Sequence, residues 1–179
     1  MTAENEIEIA IRVRTVGQLF NSLDPSPYRE RDIDAGVEEF VIGWVQELPH
    51  GAPFSLAVYL PAAEAAKPDA ARIGDAFAHY FADRAQMAER ELRELFRIGQ
   101  RSLAIGIAVL VACLVTSQLV AAFVPYHVVA RVLEESLIIV GWVANWRPIE
   151  IYLYDWLPIR RRINLFRRIA NAKLEVKSA

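Results

Sequence analysis

Residues 102–124, SLAIGIAVLVACLVTSQLVAAFV, contain no ionisable side chain except the thiol of Cys113. As an α-helix rising 1.5 Å per residue the stretch measures about 34 Å, enough to cross a hydrocarbon core of roughly 30 Å. A chain of 179 residues is too short to surround such a helix on every side. A membrane span is therefore expected here, rather than the central helix of a soluble domain.

Charges flank this stretch on its N-terminal side. Pro68 and Asp69 open a long helix with Ile73, Phe77, Tyr80, Phe81, Leu92, Leu95 and Phe96 as its apolar positions. Its exposed side carries opposite charges four apart, Glu89 with Arg93 and Arg90 with Glu94. After Pro125 and Tyr126 a second apolar stretch follows, interrupted by Glu134, Glu135, Arg147 and Glu150. Frames at 128–150 and 136–157 both fit it. A span over residues 130–153 is preferred, because Trp142, Trp146, Tyr152 and Trp156 then supply an interfacial aromatic belt. The run RRRINLFRRIANAK beyond it is a basic amphipathic helix. Arg90, Arg93, Arg97 and Arg101 precede the first span and the arginine-rich helix follows the second, whereas the turn between them offers only His127 and Arg131. Both termini are accordingly expected in the cytoplasm.

The N-terminal third has a different periodicity. Ile7, Ile9, Ile11 and Val13 alternate with Glu8, Arg12 and Arg14, as in a half-buried strand. Val37, Phe40, Val41, Trp44, Val45 and Leu48 form a helical stripe, and Phe54, Leu56, Val58 and Leu60 alternate again. Strand, helix, strand predicts a parallel βαβ unit. Leu174 and Val176 offer a third strand, returned to the sheet if residues 75–101 and 155–170 run antiparallel. The loop between the first strand and helix holds Pro25 and Pro27, with Leu19, Phe20 and Leu23 as apolar anchors and room for one helical turn.

The fold expected is an α+β membrane protein: a two-helix transmembrane hairpin extended into a cytoplasmic helical stalk, with a small sheet of βαβ plus a C-terminal strand. Its segments are a cytoplasmic module (1–62), a stalk helix (63–101), a first span (102–124), an external turn (125–129), a second span (130–153), a basic helix (154–171) and a final strand and tail (172–179).

Composition narrows the chemistry. Net charge is −2 and the pI near 6.0, so no basic field gathers nucleic acid. Apolar residues make up 54% while charged ones still reach 23%, which fits two unlike regions better than one averaged globule. A single cysteine excludes an intramolecular disulfide, and His50, His79 and His127 lie in separate segments without ligand spacing. The start, MTAENEIEI, lacks the basic and apolar regions of a signal peptide. Ser22, Ser26 and Ser55 have no GxSxG context, and Gly17, Gly36 and Gly43 form neither a Walker loop nor a dinucleotide fingerprint. Asp24, Asp32 and Asp34 read as turn and cap residues before they read as cation ligands. No catalytic residue, cofactor or metal is expected.

Two groups remain as candidate sites. Charged side chains within a bilayer cost about 2.5–3.5 kcal/mol each on insertion scales, so Glu134, Glu135, Arg147 and Glu150 need a partner, an interface or a function. Arg147 and Glu150, three apart, can pair with each other. Arg160, Arg161, Arg162, Arg167 and Arg168 are expected to contact anionic lipid headgroups.

LFNSLDPSPYRERDID at 19–34 and WRPIEIYLYDWLPIRRR at 146–162 resemble segments of an uncharacterised family of bacterial two-span inner-membrane proteins. The resemblance implies a bacterial inner-membrane setting and supplies no reaction. Partners expected are the bilayer and further copies or other membrane subunits, without nucleic acid. The function expected is non-enzymatic assembly or scaffolding, favoured by Ala104, Gly106, Ala108, Ala112, Ala121 and Ala122 in the first span and Gly141 and Ala144 in the second. Two alternatives stay open. One is an oligomeric channel or proton-coupled subunit using Glu134, Glu135, Arg147 and Glu150. The other is a membrane-anchored ligand sensor or enzyme module with its site at the loop 19–34.

Overall fold

The computed structural model describes residues 7–21, 32–49 and 51–178. Leu23, Asp24, Pro25, Pro27 and His50 lie outside these. The chain is mostly helical, with one small parallel sheet, and divides into two compact units: Met1–Ala88 with Arg161–Ala179, and Glu89–Arg160.

In the first unit the alternating segments form β1 (Ile7–Arg12), β2 (Phe54–Leu60) and β3 (Lys173–Ser178), ordered β1-β2-β3 and parallel throughout. Helix α1 (Ala35–Glu47) makes the crossover, and Asp34 caps it by accepting from the Gly36 backbone N–H at 2.9 Å. A 3-10 turn, Val16–Leu19, anchors the loop after β1 with buried Val16 and Leu19. A short helix α2 (Ala62–Ala65) follows β2, and a 3-10 turn at Ala70–Arg72 leads into α3 (Ile73–Phe123).

Period two divides the sheet into two faces. Ile9, Ile11, Leu56, Val58 and Leu60 enter a core with Val41 and Val45 of α1, Ile73, Phe77 and Phe81 of α3, and Phe166 and Ile169 of α6 (Trp156–Ala170). The other face is a polar grid in register: Glu8, Ser55 and Lys173; Ala10, Ala57 and Glu175; Arg12, Tyr59 and Lys177. Parallel sheets are ordinarily covered on both faces. Here the second face carries its own charge network. Glu8 accepts from the Tyr59 hydroxyl at 2.8 Å and pairs with Lys177, and Arg12 lies 5.8 Å over the Tyr59 ring. Those two hydrogen bonds, Lys177 first and Tyr59 second, hold the Glu8 carboxyl below its ordinary value.

The helical stripe of α1 is wider than the surface it covers. Val41 and Val45 are buried, but Phe40 and Trp44 are 42% and 47% exposed. Each aromatic precedes its buried valine by one residue, about 100° around the helix, and so falls beside the sheet-facing line.

Helix α3 is 51 residues long, and with the preceding turn it is the one helix among the described residues long and apolar enough to cross a membrane, with mean hydropathy 2.4 in its apolar part. The second apolar stretch differs from the uninterrupted span expected over 130–153. It divides into α4 (His127–Val143), α5 (Trp146–Glu150), a π-helical turn (Ile151–Asp155) and then α6. Pro148 gives the physical reason. In a continuous helix its ring would meet the carbonyl of Ala144, four residues back, and it has no N–H to bond there. The break falls at Ala144–Asn145, and Pro148 sits in the first turn of α5, where a missing N–H costs nothing.

Candidate functional site

The break frees backbone groups in an apolar setting, and one side chain bonds the carbonyl freed at Gly141. The Asn145 backbone N–H turns to the Trp142 carbonyl at 3.0 Å, which releases the Gly141 carbonyl from its usual helical donor. The Asn145 side-chain amide takes that place, donating to Gly141 O at 2.9 Å, and reaches across to Gly106 O of α3 at 3.0 Å. Asn145 is 7% exposed.

Glycines make this approach possible. A Cβ on Gly106 would stand 2.6 Å from Asn145 Oδ1 and 3.0 Å from the Ala144 carbonyl oxygen, and one on Gly141 would stand 2.7 Å from Leu110 Cδ1. Further along, Gly99 admits Ile151 and Tyr152, and Phe96 stacks on Tyr152 with centroids 6.0 Å apart. The contacts Gly106 to Asn145, Leu110 to Gly141 and Gly99 to Ile151 run in opposite chain directions, so the two apolar segments of this unit lie antiparallel. Most of the large apolar side chains face outward: Ile105 is 66% exposed, Phe123 79% and Val128 78%.

The four charged residues of the second stretch separate into two places. Arg131 donates from Nε to Glu135 Oε1 at 3.2 Å on exposed surface, while the half-buried Glu134 next to it has no ionic partner among the described residues. Arg147 binds Glu150 at 3.2 Å and Asp155 at 3.0 Å, and the Trp146 indole N–H donates to Glu150 at 2.9 Å. The π-helical turn brings Asp155 to Arg147, a partner that residue spacing does not suggest. From the first residue of α6 the Trp156 indole N–H donates back to the Tyr152 carbonyl of that turn at 2.9 Å.

The arginines of α6 also separate. Arg160 lies 5.6 Å over the Trp156 ring, and Arg161 and Arg162 are exposed. At the far end of the helix Arg167 is exposed, whereas the half-buried Arg168 donates to the Ala52 carbonyl at 3.1 Å and lies 5.4 Å over the Phe54 ring. Arg168 thus ties α6 to the start of β2.

A second polar cluster, in the α/β unit, joins residues with no sequence signature. Glu38 of α1 accepts from the Tyr80 hydroxyl at 2.9 Å and from Arg84 Nε at 2.9 Å. The Arg84 guanidinium lies 5.8 Å from the Tyr80 ring centroid and 5.9 Å from that of Phe166. Burial first, and then the bond to Glu38, push the Tyr80 hydroxyl up to about 12. Its half-buried groups join α1, α3 and α6, which suits a structural clasp. Comparison with family models, with curated proteins and with solved structures gives no match.

Proposed function

We propose that this chain is an integral membrane protein whose two apolar segments cross the bilayer as a hairpin, and that it serves as a non-enzymatic assembly component of a bacterial inner membrane. It would act as a homo-oligomer or as an accessory subunit of a larger complex. The observation that carries the reading is the outward-facing apolar surface of the antiparallel segments, whose polar groups turn inward at Asn145. Water would penalise that surface, whereas lipid matches it, and lipid also demands that backbone groups freed at the 144–145 break be bonded within the protein. The second helix reaches across a core of roughly 30 Å only together with its continuation. Its 17 residues measure about 26 Å, and α5 continues it after the break.

Orientation in this proposal rests on the cations: Arg90, Arg93, Arg97, Arg101 and Arg160 to Arg162 on the cytoplasmic side, with Arg131 near the external turn already paired to Glu135. Arg160, Arg161 and Arg162, within two turns of Trp156, are the arginines assigned to lipid headgroups; Arg168 has a structural task. The test is the particle mass after extraction from native membranes in a mild detergent. Assembly requires a mass above one 20.2 kDa chain or a stoichiometric foreign subunit. A monomer free of partners contradicts it.

One observation favours a second reading as a proton-coupled or channel subunit. Glu134 is a half-buried carboxyl without an ionic partner among the described residues, on a helix otherwise suited to lipid. Under this reading Glu134→Gln abolishes a proton flux in liposomes and leaves the particle mass unchanged. An unaltered flux, or none in the parent protein, removes it.

A further inference from the structure

The α/β unit carries two surface grooves of opposite charge. The first runs along the outer face of α1, about 490 Å³ in volume, lined by Gly36, Glu39, Phe40, Gly43, Trp44 and Glu47. Phe40 and Trp44 meet edge to face at 6.2 Å and form a ridge within it. Among the described residues neither Glu39 nor Glu47 has an ionic partner. The second groove, about 590 Å³, lies where α6 ends beside the first residues of β2. Pro53 and Phe54 give it an apolar floor, and Asn164, Arg167, Arg168 and Asn171 surround that floor with donors. Among the described residues the contacts of Arg168 are a carbonyl and a ring, both neutral, and no carboxylate pairs with it.

We propose that the Phe40–Trp44 ridge of one copy seats in the groove beside Arg168 of a second copy, with Glu39 and Glu47 facing the Arg168 guanidinium. The sign of the charges selects this pairing. Two ridges placed face to face would oppose carboxylates, a like-charge contact that costs affinity, whereas ridge against groove is complementary. The contact is therefore head to tail. Each copy keeps one unused ridge or groove, and the association extends into a closed ring or a chain. Two aromatic side chains bury about 150–250 Å² each, so the contact is far smaller than the roughly 1,200 Å² of a stable soluble interface. It becomes effective where a common bilayer raises the local concentration and aligns the copies. The inference rests on the membrane-assembly reading and specifies the surface through which that assembly occurs.

The test uses the full chain in native membranes, with Cys113→Ala as background. Gly43→Cys and Asn171→Cys are placed on separate chains, co-expressed, and treated with a short bis-maleimide. Gly43 has nothing within 4 Å of its Cβ position, so the cysteine fits without displacement. A cross-linked dimer is expected from the mixture and not from either chain alone, with yield reduced at least tenfold by Glu39→Arg with Glu47→Arg on the Gly43→Cys chain. A dimer from Gly43→Cys alone would overturn the proposal by showing ridge against ridge. Absence of any cross-link overturns it as well. In that case an oligomeric mass in mild detergent means that assembly uses another surface, whereas a monomeric mass removes the assembly reading too.

Discussion

The side-chain nitrogen of Asn145 stands 3.0 Å from the carbonyl oxygen of Gly106, and the absence of a side chain on Gly106 is what lets the two segments come that close. One amide thereby bonds the Gly141 carbonyl freed at the break and joins two antiparallel helices.

Asn145→Ala removes both hydrogen bonds. Interhelical bonds of this kind are worth about 0.6 kcal/mol on average and up to about 1.7 kcal/mol in membrane helices. Gly106→Ala is expected to cost more, about 1–3 kcal/mol, because the added methyl would stand 2.6 Å from Asn145 Oδ1 and has backbone at 3.0 Å behind it. Equilibrium unfolding in mixed micelles measures both losses, and a neutral Gly106→Ala would mean that the helices do not approach there.

In the α/β unit, Phe81 is fully buried, with its ring 6.2 Å from that of Phe166 and 5.4 Å from that of Tyr80. Phe81→Ala should destabilise this unit by about 3–5 kcal/mol. Denaturant titration followed by tryptophan fluorescence reads the change, since Trp44 belongs to the same unit.

The Tyr80 hydroxyl provides a pH test. Its value is raised from 10.0 in an unperturbed tyrosine to about 12 in the fold. Between those values the unfolded chain releases the proton first, so the native state binds more protons and stability falls as pH rises. The contribution is complete below pH 10 and lost as pH rises through about 12. Tyr80→Phe is therefore expected to flatten the stability profile in that window, and an unchanged slope would show that neither burial nor the bond to Glu38 raises the hydroxyl in the fold.

Much of this was legible in the chain because periodicity reports burial. The alternations at Ile7–Arg12 and Phe54–Leu60 gave the strands and their parallel pairing, and the return of Leu174 and Val176 to the sheet followed from topology. Which part of an apolar stripe meets the sheet was not legible. Phe40 and Trp44 have the right spacing for the core, yet lie about 100° from the valines that reach it. Asn145 was hidden for another reason. An amide carries no charge, so a search for ionisable residues passes over it, although a lone asparagine ahead of a proline in an apolar run is the signal that would find it. Glu38 and Arg84 are 46 residues apart, and no local pattern links them. The Arg147 to Glu150 pair was visible at spacing three, whereas Asp155 joins it through a π-helical turn that sequence does not announce.

Passage of both apolar segments through the bilayer is read most directly by which side of the membrane each position faces. In a Cys113→Ala background, Ala10→Cys, Tyr126→Cys and Ser178→Cys are labelled one at a time with a membrane-impermeant maleimide in right-side-out and inside-out vesicles. With both segments across the bilayer, position 126 reacts only from the outside and positions 10 and 178 react only from the cytoplasmic side. Reaction of position 126 from the same side as positions 10 and 178, which share one sheet, would mean that neither segment crosses and would contradict the hairpin.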